Sequence, residues 1–241
     1  MEMVRLTIDG RPVEAPRGTT LRQAALQAGT HTPTLCHHEH LNCAANCRVC
    51  VVEVERARTL IPSCATPVQD GMVVRTDTDR VRKARRMVLE LLMTEIDTTT
   101  APEIQAYGRY YGADPARYPA VREAAKEREV IIDNPFYVRD YAKCMACMRC
   151  VRACGSDIQH TWAIAMTGHG HHISVGAGSP TNDITESPCV FCGNCVGLCP
   201  TGALMGIAEY EVRKAGLIGT PELQWSPETG LTGPGTAKEV I

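Results

Sequence analysis

Two cysteine runs constrain this chain more than anything else in it. Cys144, Cys147, Cys150 and Cys154 form the first; Cys189, Cys192, Cys195 and Cys199, followed by Pro200, form the second. Each reads C-x2-C-x2-C-x3-C, and the second ends in proline, the spacing of a bacterial module that holds two [4Fe–4S] clusters. The spacing has a geometric reason. Two-residue gaps wrap a tight loop around one cubane, so three thiolates reach three irons while backbone N–H groups point at the sulfurs. The fourth cysteine, three residues on, starts the next element and faces the other cluster. The runs therefore predict crossed ligation: Cys144, Cys147 and Cys150 with Cys199, and Cys189, Cys192 and Cys195 with Cys154. Structural zinc also uses C-x2-C pairs, but it wants two such pairs, not two triplets with trailing fourth cysteines.

With 241 residues the chain is long enough for one large or two small domains with their own cores. A formal charge of −2 gives no case for nucleic acid binding. Thirteen cysteines would suggest disulfides in a small secreted chain. Here the first ten residues, MEMVRLTIDG, alternate like a strand and lack the apolar core of a signal peptide. No run approaches the ~18 apolar residues that span a membrane. The cysteines therefore read as reduced metal ligands in a cytoplasmic protein.

At the N-terminus, Val4, Leu6 and Ile8 alternate with polar residues, and Asp9-Gly10 signals a turn before Arg11-Pro12-Val13. Thr19 or Thr20 can cap a short helix, LRQAALQA, that Gly29 ends. CVVEVE (50–55) and MVVRT (72–76) follow as a second strand pair. Strand, strand, helix, cysteine loop, strand, strand is the order of a β-grasp ferredoxin. Its cysteines are Cys36, Cys43, Cys47, Cys50 and Cys64. A [2Fe–2S] rhomb needs four thiolates. Cys47-x2-Cys50 must belong, and Cys64 is the natural remote ligand. Spacing leaves the first ligand open between Cys36 and Cys43, because neither matches the four-residue gap of plant ferredoxins.

From Asp77 to Glu95 the sequence is helical, with Val81, Val88, Leu91 and Leu92 on one side and its Arg and Lys residues on a solvated face. This helix is expected to join two cluster domains lying at opposite ends of the chain. An irregular helical segment continues from Pro102 to about residue 127. Between the cysteine runs, His169, His171 and His172 sit in a Gly-rich loop and read as exposed polar residues. So do His37, His38 and His40, although Cys36 puts them near a cluster. Gly176-Ala177-Gly178 is too short for a dinucleotide site. From Lys214 the Gly-, Pro- and Thr-rich tail shows no core pattern, so it is expected to be disordered or laid on a partner. The fold class is α+β. Residues 1–76 form a [2Fe–2S] β-grasp domain, 77–130 a helical connector, 131–213 a bacterial-type double [4Fe–4S] ferredoxin domain, and 214–241 an extended tail.

The stretches PTLCHHEHLNCAANCRVCVVEV, RRMVLELLM, YGRYYGADPARY, NPFYVRDYAKCMACMRCVRAC and SPCVFCGNCVGLCPTGAL give the chain a family resemblance. It resembles the iron–sulfur electron-transfer module shared by three groups. These are the N-terminal part of the large (75 kDa-type) complex I subunit, the N-terminal part of NAD-linked formate dehydrogenases, and the small diaphorase subunit of NAD-reducing hydrogenases. The resemblance implies Cys36, with Cys47, Cys50 and Cys64, as the [2Fe–2S] ligands, leaving Cys43 over. The family usually carries a further cluster, held by one histidine and three cysteines, after the helix. This chain has MTEIDTTTAPEIQ there, without His or Cys, so that cluster is expected to be missing.

Cofactors of this set, one [2Fe–2S] and two [4Fe–4S] clusters, carry single electrons and transform no substrate themselves. No flavin, pterin or nicotinamide motif accompanies them. The resemblance implies an electron-relay subunit of an NAD(P)-linked oxidoreductase, between a flavin-bearing, NAD(P)-binding diaphorase-type subunit and a separate catalytic subunit such as a formate dehydrogenase or hydrogenase. A free polyferredoxin shuttle is the alternative. The iron–sulfur subunit of succinate dehydrogenase or fumarate reductase is disfavoured by the intact second run.

Overall fold

A computed structural model describes residues 2–118, 130–169 and 173–234. Its N-terminal sheet follows from the alternation read above. Val4, Leu6 and Ile8 of β1 (Met3–Ile8) and Val13 and Ala15 of β2 (Arg11–Pro16) point to one side and are buried. The Asp9-Gly10 turn sets their antiparallel register, Leu6 opposite Val13. In α1 (Leu21–Gln27), Thr20 and Gln23 form a reciprocal capping box, and Leu21, Ala24 and Ala25 face the sheet. Adding β3 (Val51–Val54), β4 (Ile61–Pro62) and β5 (Val73–Arg75) gives the strand order β2-β1-β5-β3-β4. Only β1 and β5 run parallel, which makes this a β-grasp sheet.

Thr78 caps α2 (Asp79–Glu95) by accepting from the Val81 amide. The buried face differs from the apolar stripe read in the sequence. Val81, Arg85 and Leu89 point inward, with Glu90 and Thr94 beside them, whereas Leu91 is exposed. Arg85 is not on a solvated face. Its guanidinium donates to the Tyr111 hydroxyl at 2.7 Å and to the Val51 carbonyl at 2.9 Å, tying the helix to β3. The buried Glu90 carboxylate takes Arg117 at 3.2 Å. Such partners offset part of the desolvation cost of burying these charges.

The next helix, α3 (Pro102–Tyr111), starts on Pro102 and ends at a left-handed Gly112. The turn between α2 and α3, where the family's further cluster would sit, is tied to the C-terminal half. Asp97 pairs with Lys143 at 3.2 Å, and the Thr100 hydroxyl donates to the Thr201 carbonyl at 2.6 Å. Part of the irregular segment expected to reach residue 127 lies outside the described residues, as do His171 and His172.

In the C-terminal half, β6 (Val130–Ile131), β7 (Tyr137–Asp140) and β10 (Leu204–Gly206) form an antiparallel sheet, while β8 (Ile164–Thr167) pairs with β9 (Ser174–Ala177). Gly176 belongs to this hairpin. A Cβ there would come within 2.7 Å of Thr167, so close packing explains the glycine. Arg139 in β7 is buried, ion-paired with Asp133 and bonded to the Asn182 carbonyl at 2.6 Å. The short helices α4 (Arg149–Arg152) and α5 (Asn194–Gly197) follow the two cysteine loops, and α6 (Ile207–Lys214) follows β10.

Two expectations need correction. The cluster domains, at the two ends of the sequence as read, are not kept apart in space by α2: the loop after Cys36 packs directly on the cubane module. There the Asn42 amide and side chain donate to the Asp157 carboxylate at 2.7 and 3.0 Å. Nor is the tail without a core. β11 (Gln224–Ser226) and β12 (Gly230–Thr232) form a hairpin on α3, burying Leu223 and Trp225 with Leu35, Val49, Leu89 and Ile104. Trp225 meets the Tyr107 ring edge-on, centroids 5.1 Å apart. One aromatic anchor in a Gly- and Pro-rich run leaves no periodicity for sequence reading to detect.

Candidate functional site

The two cubane loops share one backbone plan. Ala146 (φ 53°) and Met148 (φ 63°) flank Cys147, just as Phe191 (φ 52°) and Gly193 (φ 78°) flank Cys192. Left-handed residues on either side of the middle cysteine turn successive N–H groups inward, forming nests suited to anionic sulfur. Three of the four are not glycine, so the conformation costs energy that a bound group must offset. The same bond recurs in each loop. The Ala146 amide donates to Cys144 Sγ and the Phe191 amide to Cys189 Sγ, both at 3.4 Å.

Cys150 and Cys195 lie in α4 and α5. Cys154 follows α4 and Cys199 follows α5, and each swings towards the other run. One hollow is lined by Cys144, Cys147, Cys150 and Cys199, with Tyr141 and Leu204 among its walls. A second is lined by Cys189, Cys192, Cys195 and Cys154, with Tyr137 and Ile164. Four thiols around an otherwise largely apolar hollow fit a cubane.

Hydroxyl groups line up on the cysteine sulfurs of the two hollows: Thr161 3.3 Å from Cys154, Tyr137 3.7 Å from Cys189, and Thr201 3.7 Å from Cys199. Such hydrogen bonds help set cluster potentials. Burial pushes the Cys147 and Cys195 thiols up to about 12. Loading a cluster must therefore displace protons from them, since the metal ligand is the thiolate.

In the N-terminal half five thiols meet, not four. Cys64 Sγ lies 3.2 Å from Cys50 Sγ and 3.3 Å from Cys43 Sγ. Hydrogen bonds from Cys47 and Cys64 pull the Cys36 thiol well below its ordinary range. Left-handed residues occur in this loop too, Ala45 (φ 52°) two positions before Cys47 and Arg48 (φ 58°) directly after it. Cys36, Cys50 and Cys64 are buried, Cys47 is half-buried and Cys43 is exposed. Spacing leaves Cys43 open as a first ligand, and the structure brings both Cys36 and Cys43 to the set. Beside it, burial and the nearby Arg22 and Arg149 lower His37 to about 4, so its imidazole is neutral at pH 7. His169 is exposed.

Comparison with known proteins agrees with this layout. A family described as a 2Fe-2S iron-sulfur cluster binding domain matches residues 1–79, and one described as a 4Fe-4S dicluster domain matches residues 143–203. The NADP-reducing hydrogenase subunit HndD of Solidesulfovibrio fructosivorans is 37% identical over 85% of this chain and 36% of its own length. The mitochondrial NADH-ubiquinone oxidoreductase 78 kDa subunit of Candida albicans is 37% identical over 83% of the chain and 28% of its own. An NADH-quinone oxidoreductase subunit of Rickettsia bellii is 32% identical over 93% and 34%. The chain thus spans about a third of the length of these curated relatives. A crystal structure of an NAD+-reducing [NiFe]-hydrogenase in the H2-reduced state superposes with a TM-score of 0.75 at 26% identity, covering 85% of this chain and 88% of that one. No helix among the described residues is long and apolar enough to cross a membrane. The chain is an iron–sulfur module, a [2Fe–2S] domain followed by a double [4Fe–4S] domain, similar to the iron–sulfur subunits of complex I and of NAD(P)-reducing hydrogenases.

Proposed function

We propose that this chain is the electron relay of a cytoplasmic, multisubunit NAD(P)-linked oxidoreductase. The [2Fe–2S] cluster takes Cys36, Cys47, Cys50 and Cys64. One [4Fe–4S] cluster takes Cys144, Cys147, Cys150 and Cys199, and the other Cys189, Cys192, Cys195 and Cys154. Cys43 stays outside the ligand set, being the exposed member of its group. When bound, the clusters accept and release single electrons. The protein's part is to hold them close in a fixed frame and to hydrogen-bond their sulfurs. Domain limits at 76, 130 and 213 accompany this reading.

The observation that carries the proposal is the direct packing of the [2Fe–2S] loop on the cubane module, through Asn42 and Asp157. Three cysteine-lined sites then form one continuous path rather than two separated stations. The relatives, named as subunits of hydrogenases and NADH oxidoreductases, support a flavin-bearing NAD(P)-binding diaphorase-type partner at one side. A separate catalytic subunit, of the formate dehydrogenase, hydrogenase or other reductase kind, would take the other.

The purified holoprotein, kept anaerobic, is expected to bleach with dithionite but not with NADH. Adding a flavin-bearing diaphorase subunit of the same complex should let NADH reduce its clusters. Steady NADH oxidation by this chain alone, free of flavin, would contradict the proposal.

A further inference from the structure

Between the [2Fe–2S] loop and the first cubane loop stand two arginines that a relay of this kind does not require as ligands. Both come from α4, the helix that carries Cys150. Arg149 donates from Nη2 to the His37 carbonyl at 2.6 Å. One turn on, Arg152 donates from Nη2 to the carbonyl of Cys36 at 3.0 Å. Its Nε is held by the Met148 carbonyl at 3.2 Å, which fixes the direction of the guanidinium. Arg149 is 9% exposed. Its Nε, and Nη1 of Arg152, are buried without a hydrogen-bond partner among the described residues.

A buried guanidinium with unfilled donors is costly unless negative charge lies close by. The carboxylates near this pair do little to supply it. Glu103 faces Arg149, but burial pushes that carboxyl towards its neutral form while Arg149 pulls the other way. Asp157 faces Arg152 from the solvent side and is engaged by Ser156 and Asn42. The remaining candidates for the missing negative charge are the thiolate-ligated clusters on either side, and each gains a further negative charge on reduction.

We propose that Arg149 and Arg152 are positioning residues of the relay, clamping the Cys36–His37 backbone to α4 and holding positive charge between the [2Fe–2S] cluster and the cubane of Cys144, Cys147, Cys150 and Cys199. The clamp fixes the gap across which the electron moves. The charge favours the reduced form of the rhomb, raising its potential. The inference rests on the relay reading and adds to it which residues set the first intramolecular hop.

The test uses the full holoprotein with Arg149→Gln and Arg152→Gln, singly and together, and Arg152→Lys as the charge-keeping control. Iron content establishes loading. EPR-monitored redox titration then gives the potential of the rhomb, and the relaxation of its reduced signal reports the neighbouring reduced cubane. The Gln pair is expected to load fully yet shift the rhomb's reduction equilibrium about tenfold towards the oxidised form, ~59 mV for one electron. Its signal should also relax more slowly. Arg152→Lys is expected to recover the potential. The single Gln variants carry the same signs at smaller size and decide the matter if the pair does not load.

A loaded Gln variant with unchanged potential and relaxation overturns the proposal. So does a potential shift that Arg152→Lys fails to reverse, which would mark a structural role alone. If the wild-type holoprotein takes no electrons from dithionite, it is the relay reading that fails.

Discussion

Cys199→Ser is expected to abolish or cripple the cubane of Cys144, Cys147 and Cys150, although residue 199 belongs to the other cysteine run. Cys154→Ser should do the same to the cubane of Cys189, Cys192 and Cys195. The basis is the exchange of fourth cysteines between the two hollows, Cys199 in one and Cys154 in the other. Serine is a poor iron ligand beside thiolate, and a cubane held at three corners is readily lost or degraded to a three-iron form. The iron content should fall by about one to four atoms per chain, with one [4Fe–4S] EPR signal missing and the other kept. Because the two loops share α4, α5 and a common core, some loss of thermal stability should accompany it. Loss of the signal belonging to the mutated run itself would show that each run keeps its own fourth cysteine.

Trp225→Ala is expected to destabilise the chain by about 3–5 kcal/mol, the usual cost of removing a buried aromatic ring. For a chain of this size that corresponds to a fall in Tm on the order of 10 °C. The indole is 8% exposed and packs edge-on against Tyr107 of α3. Around it the hairpin is pinned by backbone contacts. Arg109 donates to the Leu223 carbonyl at 2.5 Å, and the His31 amide donates to the Pro227 carbonyl at 2.6 Å. His31 and Leu35 lead into Cys36, so the effect should reach the [2Fe–2S] loop first. Removing residues 216–241 is accordingly expected to weaken the chain itself and not only its assembly with partners. Thermal melts followed at the rhomb's visible absorbance, against melts followed by far-UV circular dichroism, would separate the two effects. An unchanged Tm would mean that the hairpin adds no net stability.

Sequence carried the parts of this structure that depend on local rules. Alternation in Val4, Leu6 and Ile8, the Asp9-Gly10 turn and the Thr20 cap each decide a short piece of chain without help from afar, and each stands in the fold. The crossed ligation read from the spacing rests on a local rule too, since a three-residue step out of a tight loop leaves the thiol little choice of direction, and the linings of the two hollows are compatible with it.

What stayed hidden depends on distant partners. Arg85 reads as a surface residue until Tyr111 and the Val51 carbonyl are brought to it. Leu91 looks like core until the helix is rotated to bury Arg85 and Leu89 instead. Trp225 has no periodic neighbours, and its site is made by α3 and the residues before Cys36. The contact between Cys43 and Cys64 and the direct docking of the two cluster domains are likewise products of tertiary packing.

The central claim is that residues 1–241 hold three electron-carrying centres, one [2Fe–2S] and two [4Fe–4S]. Iron analysis joined to anaerobic reductive titration by EPR tests it most directly. The account predicts about ten irons per chain, from one rhomb and two cubanes. About three electrons should be taken up, one per cluster, giving one [2Fe–2S] and two [4Fe–4S] signals. About fourteen irons with a third cubane signal, or a chain that loads only its [2Fe–2S] half, would contradict it.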